Sequence, residues 1–435
     1  MRKLLFYSGL YGGSTIALKV AGFLLTVWLA KVFSQEEYAI FGLMYALQTG
    51  VSTFAITGLF ESVVGLLNGK SESSVATLYN STIISFFLLA TFVGLISFIL
   101  LHFFSSTTYS LGLQTAVIFS GVILSFASLK AQLFRLQERH VDSLAFSFLI
   151  PLGGVIGSFV IIFFDKSISS FFIGSILGSC FPLLFFLIKE GKPDTAIHSR
   201  DIKNIFIRIS PFVLVTFFGW LSGYGNNFIV DFFLDLKTVA RFTFALTIAA
   251  IMQMVASALN QVWAPKFYKD IHREPLHSVE KENKKFAFIS CLLLGLVGFF
   301  ILVLFPFGIS IIGGNLASYQ DLGVKLFVLL LAYLVLVIWT YCYNYLLAYD
   351  KGKIVMNITL FTSAIGIPLW VLLISQLGEI GIYLGFLLQM FLRSSVIYYV
   401  SIKYWRIAFS WLGLLVGVGL LCLGLLISNQ LVFST

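Results

Sequence analysis

Two basic residues stand inside long apolar stretches of the sequence. Lys19 lies midway along the stretch 8–30, and Arg393 lies within the stretch 380–402. A charge in such surroundings is costly to keep away from water, so it points to a function by default. A cation there can meet an anion in a water-filled cavity, snorkel to a membrane surface or form a structural ion pair. We predict a cavity cation for Lys19, whereas for Arg393 the cavity and the snorkelling interpretation both stay open.

Polar and small residues extend these positions into faces, because residues three or four apart share one side of a helix. The face around Lys19 consists of Gly12, Thr15, Lys19, Gly22 and Thr26. The face around Arg393 adds Gly385 and Gln389, and two other stretches carry Thr216, Trp220, Gly223 and Asn227, then Gln253, Ser257, Asn260 and Gln261. Such faces line cavities, but they also join helices in lipid. The predicted substrate contacts are Lys19, Arg393, Asn227, Gln253, Thr15 and Trp220.

Two carboxylates near these faces are candidates for an ion pair or for ion coupling. Glu61 follows Thr53 and Thr57 along the second stretch, and we expect it to form a structural pair, for example with Lys19. Asp231 ends the seventh stretch. We expect no metal and no cofactor, because the four cysteines are scattered singly and no cysteine–histidine cluster occurs.

The elements that position these residues are membrane-spanning helices. Of the 435 residues, 59% are hydrophobic and only 11% are charged, about half the charged fraction of a soluble chain. A helix crosses a membrane with about 20 mainly apolar residues. The qualifying runs are approximately 8–30, 39–67, 79–101, 111–133, 143–164, 168–188, 208–230, 239–262, 286–312, 323–347, 354–375, 380–402 and 409–429. Barrel strands are excluded, because their residues would alternate between apolar and polar.

The basic residues orient these spans. The net charge of +9 does not indicate nucleic acid, because no basic face interleaved with aromatic residues is present. With the N-terminus inside, 20 of the 28 lysines and arginines lie on the inside and only five lie outside, namely Lys31, Lys166, Lys237, Arg241 and Lys325. Because lysine and arginine favour cytoplasmic loops, we predict a cytoplasmic N-terminus. The side of the C-terminus, after the thirteenth run, stays open.

An internal repeat predicts the architecture. The segment from Glu37 to Leu47 superposes on the segment from Thr238 to Ile248 at an offset of 201 residues. Six helices separate the two, so the halves have the same orientation, as in repeats related by an axis along the membrane normal. We therefore predict an all-α polytopic membrane protein with two six-helix lobes around a central cavity. The predicted divisions are an N-terminal lobe, a cytoplasmic linker, a C-terminal lobe and a possible additional helix, at 1–190, 191–207, 208–403 and 404–435.

Over about residues 1–403 the chain resembles the Wzx-type polysaccharide flippases. The likeness is carried by Tyr7–Val20, by the short turn within Leu29–Gly42, by Pro211–Phe212 and by Tyr341–Lys351. These flippases belong to a superfamily that includes multidrug and toxin extruders (MATE) and the lipid II flippase. The resemblance implies a MATE-like fold in a bacterial inner membrane.

The same resemblance implies the cargo and the partners. The cargo would be an undecaprenyl-diphosphate-linked oligosaccharide, moved from the cytoplasmic to the outer leaflet for O-antigen and lipopolysaccharide biosynthesis by alternating access. A glycan polymerase and chain-length machinery are implied candidate partners. Lys19 matches a position where related flippases hold a cavity cation. Arg241 stands where the family often has a small or aromatic residue, so no family role is assigned to it.

Two other functions compete with this one. An ion-coupled multidrug or cation extruder of the same fold would prefer a buried, isolated carboxylate, whereas here the central charge is positive. A membrane glycan polymerase would need a large outside catalytic loop, and the outside connections are short. The polar connections are also too short for a nucleotide-binding domain. We therefore predict a transporter and no enzyme.

Overall fold

The computed structural model describes residues 2–67, 72–104, 109–190, 197–404 and 408–434. Its first half holds the helices α1 Arg2–Val32, α2 Gln35–Ala55, α3 Leu59–Leu67, α4 Glu72–Phe104, α5 Leu111–Leu136, α6 His140–Leu144, α7 Ile150–Phe164 and α8 Ile168–Glu190, with a π-helical turn at Ala145–Leu149. Its second half holds α9 Ser199–Leu221, α10 Asn226–Phe233, α11 Leu236–Asp270, α12 Leu276–Ile312, α13 Gly323–Ala348, α14 Gly352–Leu377, α15 Glu379–Tyr404 and α16 Trp411–Ser434, with a 3₁₀ segment at Gly314–Leu322.

Thirteen segments of the described chain are long and apolar enough to cross a membrane. They coincide in order and approximate position with the thirteen predicted runs, and the described residues include no strand. The all-α fold class is therefore confirmed. The thirteenth run forms α16, so the additional C-terminal helix is present.

Two predicted spans are broken rather than continuous. The run 39–67 divides into α2 and α3 at residues 56–58, where Gly58 has φ +65°. The prediction that Glu61 continues the face of Thr53 and Thr57 is therefore wrong, because Glu61 lies on a separate helix. The run 208–230 divides into α9 and α10 at residues 222–225.

The second break rests on glycine. The Trp220 carbonyl accepts hydrogen bonds from the backbone N–H groups of Gly223 and Gly225, at 3.0 and 2.9 Å, instead of continuing the helix. A Cβ atom at Gly225 would lie 2.8 Å from the Trp220 ring, so only glycine fits there. The residues that the sequence places on one face of a continuous seventh helix therefore lie on two helices.

The internal repeat is visible in the helix caps. Ser34 caps α2 in a capping box with Glu37, whose backbone N–H donates to the Ser34 hydroxyl at 3.3 Å and whose carboxylate accepts the Ser34 N–H at 2.8 Å. Asp235 caps α11 by accepting the backbone N–H of Thr238 at 2.8 Å. The two caps lie 201 residues apart, which is the offset read from the sequence.

The chain divides into two compact units. Unit 1 contains Met1–Leu25 and Ile40–Asn226, and unit 2 contains Thr26–Ala39 and Asn227–Thr435. In unit 1, buried residues of α3, α4, α5, α8 and α9 form one apolar core. Helices α7 and α8 approach until their backbones touch, because a Cβ at any of four glycines would collide with the facing helix: Gly153, Gly157, Gly174 and Gly178.

Unit 2 is built around α13, which packs on α11, α12, α15 and α16. Glycines again permit close contact between α12 and α16. A Cβ at Gly295 would lie 2.6 Å from the Cα of Gly417, and one at Gly413 would lie 2.7 Å from the Cα of Phe288. Helix α16, which is the thirteenth predicted span, is therefore an integral part of unit 2.

The structure differs from the predicted linker 191–207. Residues 191–196 lie outside the described residues, and α9 begins at Ser199. Ile205 and Ile209 of α9 are buried in the core of unit 1, which places this helix with the first unit. The lobe boundaries themselves stay a prediction, since units defined by contact and halves defined by repetition need not coincide.

Candidate functional site

Helix α1 has two exposed faces of opposite character. Thr15 and Lys19 are exposed on the polar face, and a Cβ at Gly22 would meet nothing within 4 Å. The second face carries exposed Ile16, Val20 and Leu24. At 3.6 residues per turn these two rows are roughly 120° apart, so one side of the helix suits lipid and the other suits water. Lys19 lies 13 residues before the end of α1 at Val32, or about 20 Å along the axis, which is well inside the span.

Lys19 has no carboxylate partner among the residues that the structure describes. The expected pair with Glu61 is absent there, and Glu61 is exposed on α3. An exposed ammonium at membrane depth without a counter-ion needs water or an anionic ligand. This arrangement agrees with the cavity interpretation of Lys19.

Trp220 of unit 1 has its polar atom engaged. The indole N–H donates to the Ala46 carbonyl at 2.9 Å, and the ring packs edge-on against Phe54 at 6.0 Å. Gly50 makes room for it, because a Cβ there would lie 2.9 Å from the indole nitrogen. Trp220 therefore fixes the end of α9 on α2. The side chain is half-exposed, so a ligand could still contact its ring.

Asn227 and Asp231 lie one turn apart on α10 in unit 2. Asn227 is buried, and Asp231 is half-buried with no ion pair among the described residues. Burial raises the pKa of the Asp231 carboxyl above its ordinary value, because water stabilises the charged form less well there. Asp235, one turn further on, differs: hydrogen bonds from Thr238 lower the pKa of its carboxyl.

The polar face of α11 has two parts. Gln253 is exposed, as a ligand contact would require. Asn260 instead accepts a hydrogen bond at 2.9 Å from Asn344 of α13, and Asn344 accepts one at 2.7 Å from the Tyr268 hydroxyl. The face that begins at Gln253 therefore ends in contacts between helices.

A second buried amide, Asn283 of α12, joins α12 to α11 and α13. It accepts a hydrogen bond from the Trp263 indole at 3.0 Å and donates one to the Tyr345 hydroxyl at 2.7 Å. Asn283 is 3% exposed, so both bonds are shielded from water. Sequence analysis missed this role, because Asn283 lies in a polar stretch that reads as a loop.

Arg393 contacts an aromatic ring of a neighbouring helix. Its guanidinium carbon lies 4.0 Å from the ring centroid of Trp339 on α13, and Trp339 in turn stacks on Tyr343 at 6.4 Å. Of the residues predicted as substrate contacts, Lys19, Thr15 and Trp220 belong to unit 1, whereas Asn227, Gln253 and Arg393 belong to unit 2.

Sequence analysis also missed a charge network at one end of unit 2. Arg241 of α11 bonds to Asp321 and, at 2.9 Å, to Glu379 of α15. Lys325 of α13 bonds to the same Glu379 oxygen at 2.7 Å and lies 3.8 Å from Asp321. No spacing in the sequence could have revealed it, because its members are separated by up to 138 residues.

The end of α1 and the start of α2 dock beside this network within unit 2. Asn315 donates a hydrogen bond to the Phe33 carbonyl at 2.8 Å, and the buried ring of Tyr38 meets Tyr319 and Phe244 edge-on at 6.2 and 6.3 Å. These contacts hold the turn of Leu29–Gly42, which carried the family resemblance, in a fixed position.

The cap offset relates the two polar faces to each other. Residues of the α1 face have counterparts 201 positions later. The pairs are Thr15 and Thr216, Lys19 and Trp220, Gly22 and Gly223, and Thr26 and Asn227. The polar face of α1 and the polar residues around α9 and α10 are therefore equivalent positions of the repeat. One half carries a cation where the other carries an aromatic ring.

The thirteen apolar spans define a multi-pass membrane protein, and comparison with known proteins identifies its family. The family model described as "Polysaccharide biosynthesis protein" matches residues 8–270, which is more than half of the chain. The chain belongs to that family. No curated protein matches it.

Solved structures show the same fold. An inward-facing multidrug resistance MATE family transporter of the MOP superfamily aligns with a TM-score of 0.68 and 14% identity, over 89% of this chain and 94% of the other. The lipid II flippase MurJ, in an inward closed conformation, aligns with a TM-score of 0.66 and 15% identity, over 97% and 98%. The Vibrio cholerae MATE transporter VcmN aligns with a TM-score of 0.59 and 13% identity, over 93% and 96%. The predicted MATE-like fold is confirmed.

Proposed function

We propose that the protein is a flippase that moves an undecaprenyl-diphosphate-linked oligosaccharide from the cytoplasmic to the outer leaflet of a bacterial inner membrane. The observation that carries the proposal is the exposed Lys19, which lies inside a predicted span and has no carboxylate partner among the described residues, in a chain of the polysaccharide biosynthesis family. A cargo with a diphosphate supplies the anion that such a cation lacks.

The equivalent faces of the repeat support this assignment. A saccharide diphosphate has an anionic end and sugar rings, and it needs a cation together with aromatic and hydrogen-bonding groups. One face supplies Lys19, and the repeat-related face supplies the half-exposed Trp220. Thr15 and Gln253, both exposed, add hydroxyl and amide groups that suit sugar hydroxyls.

The first test is a deletion strain complemented with the intact gene. We expect the deletion to accumulate lipid-linked oligosaccharide on the inner leaflet and to lose surface polymer, and the intact gene to restore the polymer. Single repeat units exported by the deletion strain would instead indicate a glycan polymerase. Unchanged surface glycan, in a strain with no second transporter, would refute the flippase.

Asp231 favours a second candidate, an ion-coupled multidrug or cation extruder. It is a half-buried carboxylate without an ion-pair partner among the described residues, which suits binding of a cation or a proton. The same residue serves ion coupling in a flippase. Sensitivity of the deletion strain to cationic dyes, with normal surface glycan, would favour the extruder.

A further inference from the structure

Arg393 is a partly buried cation with a buried donor that has no hydrogen-bond partner among the described residues. That donor is its Nε atom, which is shielded from water. No carboxylate of the described chain lies within ion-pair distance of its guanidinium. A cation that is partly shielded from water and has no carboxylate partner gains from an anionic ligand.

Arg393 lies well inside its predicted membrane span. Arg393 lies ten residues before Lys403 near the end of α15, or about 15 Å along the axis, and the hydrocarbon core is about 30 Å thick. Trp339, the ring beneath it, lies nine residues before the end of α13 at Ala348, which is about the same depth. With Lys403 at the membrane surface, where the distribution of basic residues predicts it, Arg393 and Trp339 lie near the middle of the span.

Contacts between α15 and α13 hold Arg393 in position. The neighbouring Ser394 hydroxyl donates to the Val335 carbonyl at 3.1 Å, which ties α15 to α13 one turn from Trp339. The Trp339 face then holds the guanidinium at 4.0 Å. Stacking occupies one flat face of the group but none of its five N–H donors, which point outward in the plane.

One side of this arrangement is open. Arg393 is partly exposed as a residue, although its Nε is buried. Tyr343, one turn from Trp339 and stacked on it at an interplanar angle of 27°, is 36% exposed. A ligand that approaches from this side would meet Arg393 beside the ring and hydroxyl of Tyr343.

We propose that Arg393, held over Trp339 and flanked by Tyr343, binds the phosphate groups of a membrane-borne lipid diphosphate. The planar fork matches phosphate oxygens in a bidentate geometry, which an ammonium cannot do. The proposal rests on the proposed function, and it adds an anion subsite in unit 2 to the Lys19 face in unit 1.

The test is binding by the purified full-length protein in nanodiscs. The probes are a polyprenyl diphosphate, the polyprenol of the same chain length and inorganic pyrophosphate. We expect the lipid diphosphate to bind at least tenfold more tightly than either of the other two. Arg393→Gln should weaken it roughly 10- to 100-fold, the size of a lost hydrogen bond to a charged group, and Trp339→Leu should weaken it as well.

Two conservative variants and one matched control keep the test decisive. Arg393→Lys keeps the charge and Trp339→Phe keeps an aromatic face, so each should retain part of the affinity. These two variants replace Arg393→Gln and Trp339→Leu if those do not fold. Lys403→Gln removes a cation that lies 4.5 Å over Tyr399 on the same helix, and it should bind normally.

Three results would overturn the subsite. They are wild-type affinity in Arg393→Gln, equal losses in Arg393→Gln and Lys403→Gln, and equal binding of inorganic pyrophosphate and the lipid diphosphate. If export by the intact gene persists under any of these results, the subsite fails and the flippase stands. If the deletion leaves surface glycan unchanged, the flippase itself fails.

Discussion

Replacing Lys19 by alanine separates a ligand-binding role from a structural one. Lys19 is exposed and has no ion-pair partner among the described residues, so its removal should change the free energy of unfolding by no more than about 0.5 kcal/mol. A hydrogen bond to a charged phosphate is worth about 1.5–3 kcal/mol. At about 1.4 kcal/mol for each factor of ten, the affinity for cargo should fall roughly 10- to 100-fold.

The assay is surface glycan in the deletion strain carrying each variant, normalised to membrane abundance. We expect Lys19→Ala to lose most export at normal abundance and Lys19→Arg to retain part of it. Lys31→Ala is the matched control, because Lys31 is also an exposed lysine of α1 but lies in its last turn. Wild-type export by Lys19→Ala at normal abundance would show that the cation does not contact the cargo.

Three further substitutions test other parts of the argument. Asn283→Ala should lower the free energy of unfolding by about 2–4 kcal/mol, because it strands two buried donors or acceptors at about 1–3 kcal/mol each; an unchanged melting temperature would contradict this. Asp231→Asn should abolish ion-coupled export, since an amide cannot take up and release a proton, while Asp235→Asn should export normally; equal export by both would remove Asp231 from coupling. Gly174→Leu should reduce folded protein in a membrane-extraction assay, because its Cβ would strike Gly157 across the α7–α8 contact; normal yield would show that these helices can separate.

The spans and the repeat were predictable from the sequence because both depend on residues close together in the chain. Hydropathy over about 20 residues locates a membrane helix. The caps at Ser34 and Asp235 depend only on residues within three positions of the helix start. They therefore recur in both halves, 201 residues apart. These features need no knowledge of which helices are neighbours.

The breaks and the charge network depend on tertiary contacts that the sequence does not display. Hydropathy continues across Gly58, yet φ +65° there ends α2 where the side chain of Phe212 packs close by. Arg241, counted in the sequence only as an outside cation, bonds to carboxylates on the 3₁₀ segment and on α15. The contact of Arg393 with Trp339 was hidden for the same reason, since the sequence gives no pairing between α13 and α15.

The repeat also shows how the two halves diverged. Positions 22 and 223 are both glycine, but only the second half has a further glycine at 225, and only there does the helix break. The equivalent of Lys19 is Trp220, whose indole N–H is bonded to the Ala46 carbonyl. A duplicated face with an exposed cation in one half and a fixed aromatic ring in the other is suited to an asymmetric ligand. An oligosaccharide diphosphate is such a ligand, because its charge lies at one end and its sugar rings at the other. A small, uniformly cationic drug would have no use for the lysine. This asymmetry is therefore a stronger reason to favour the flippase over the extruder than the shared fold, which both functions have.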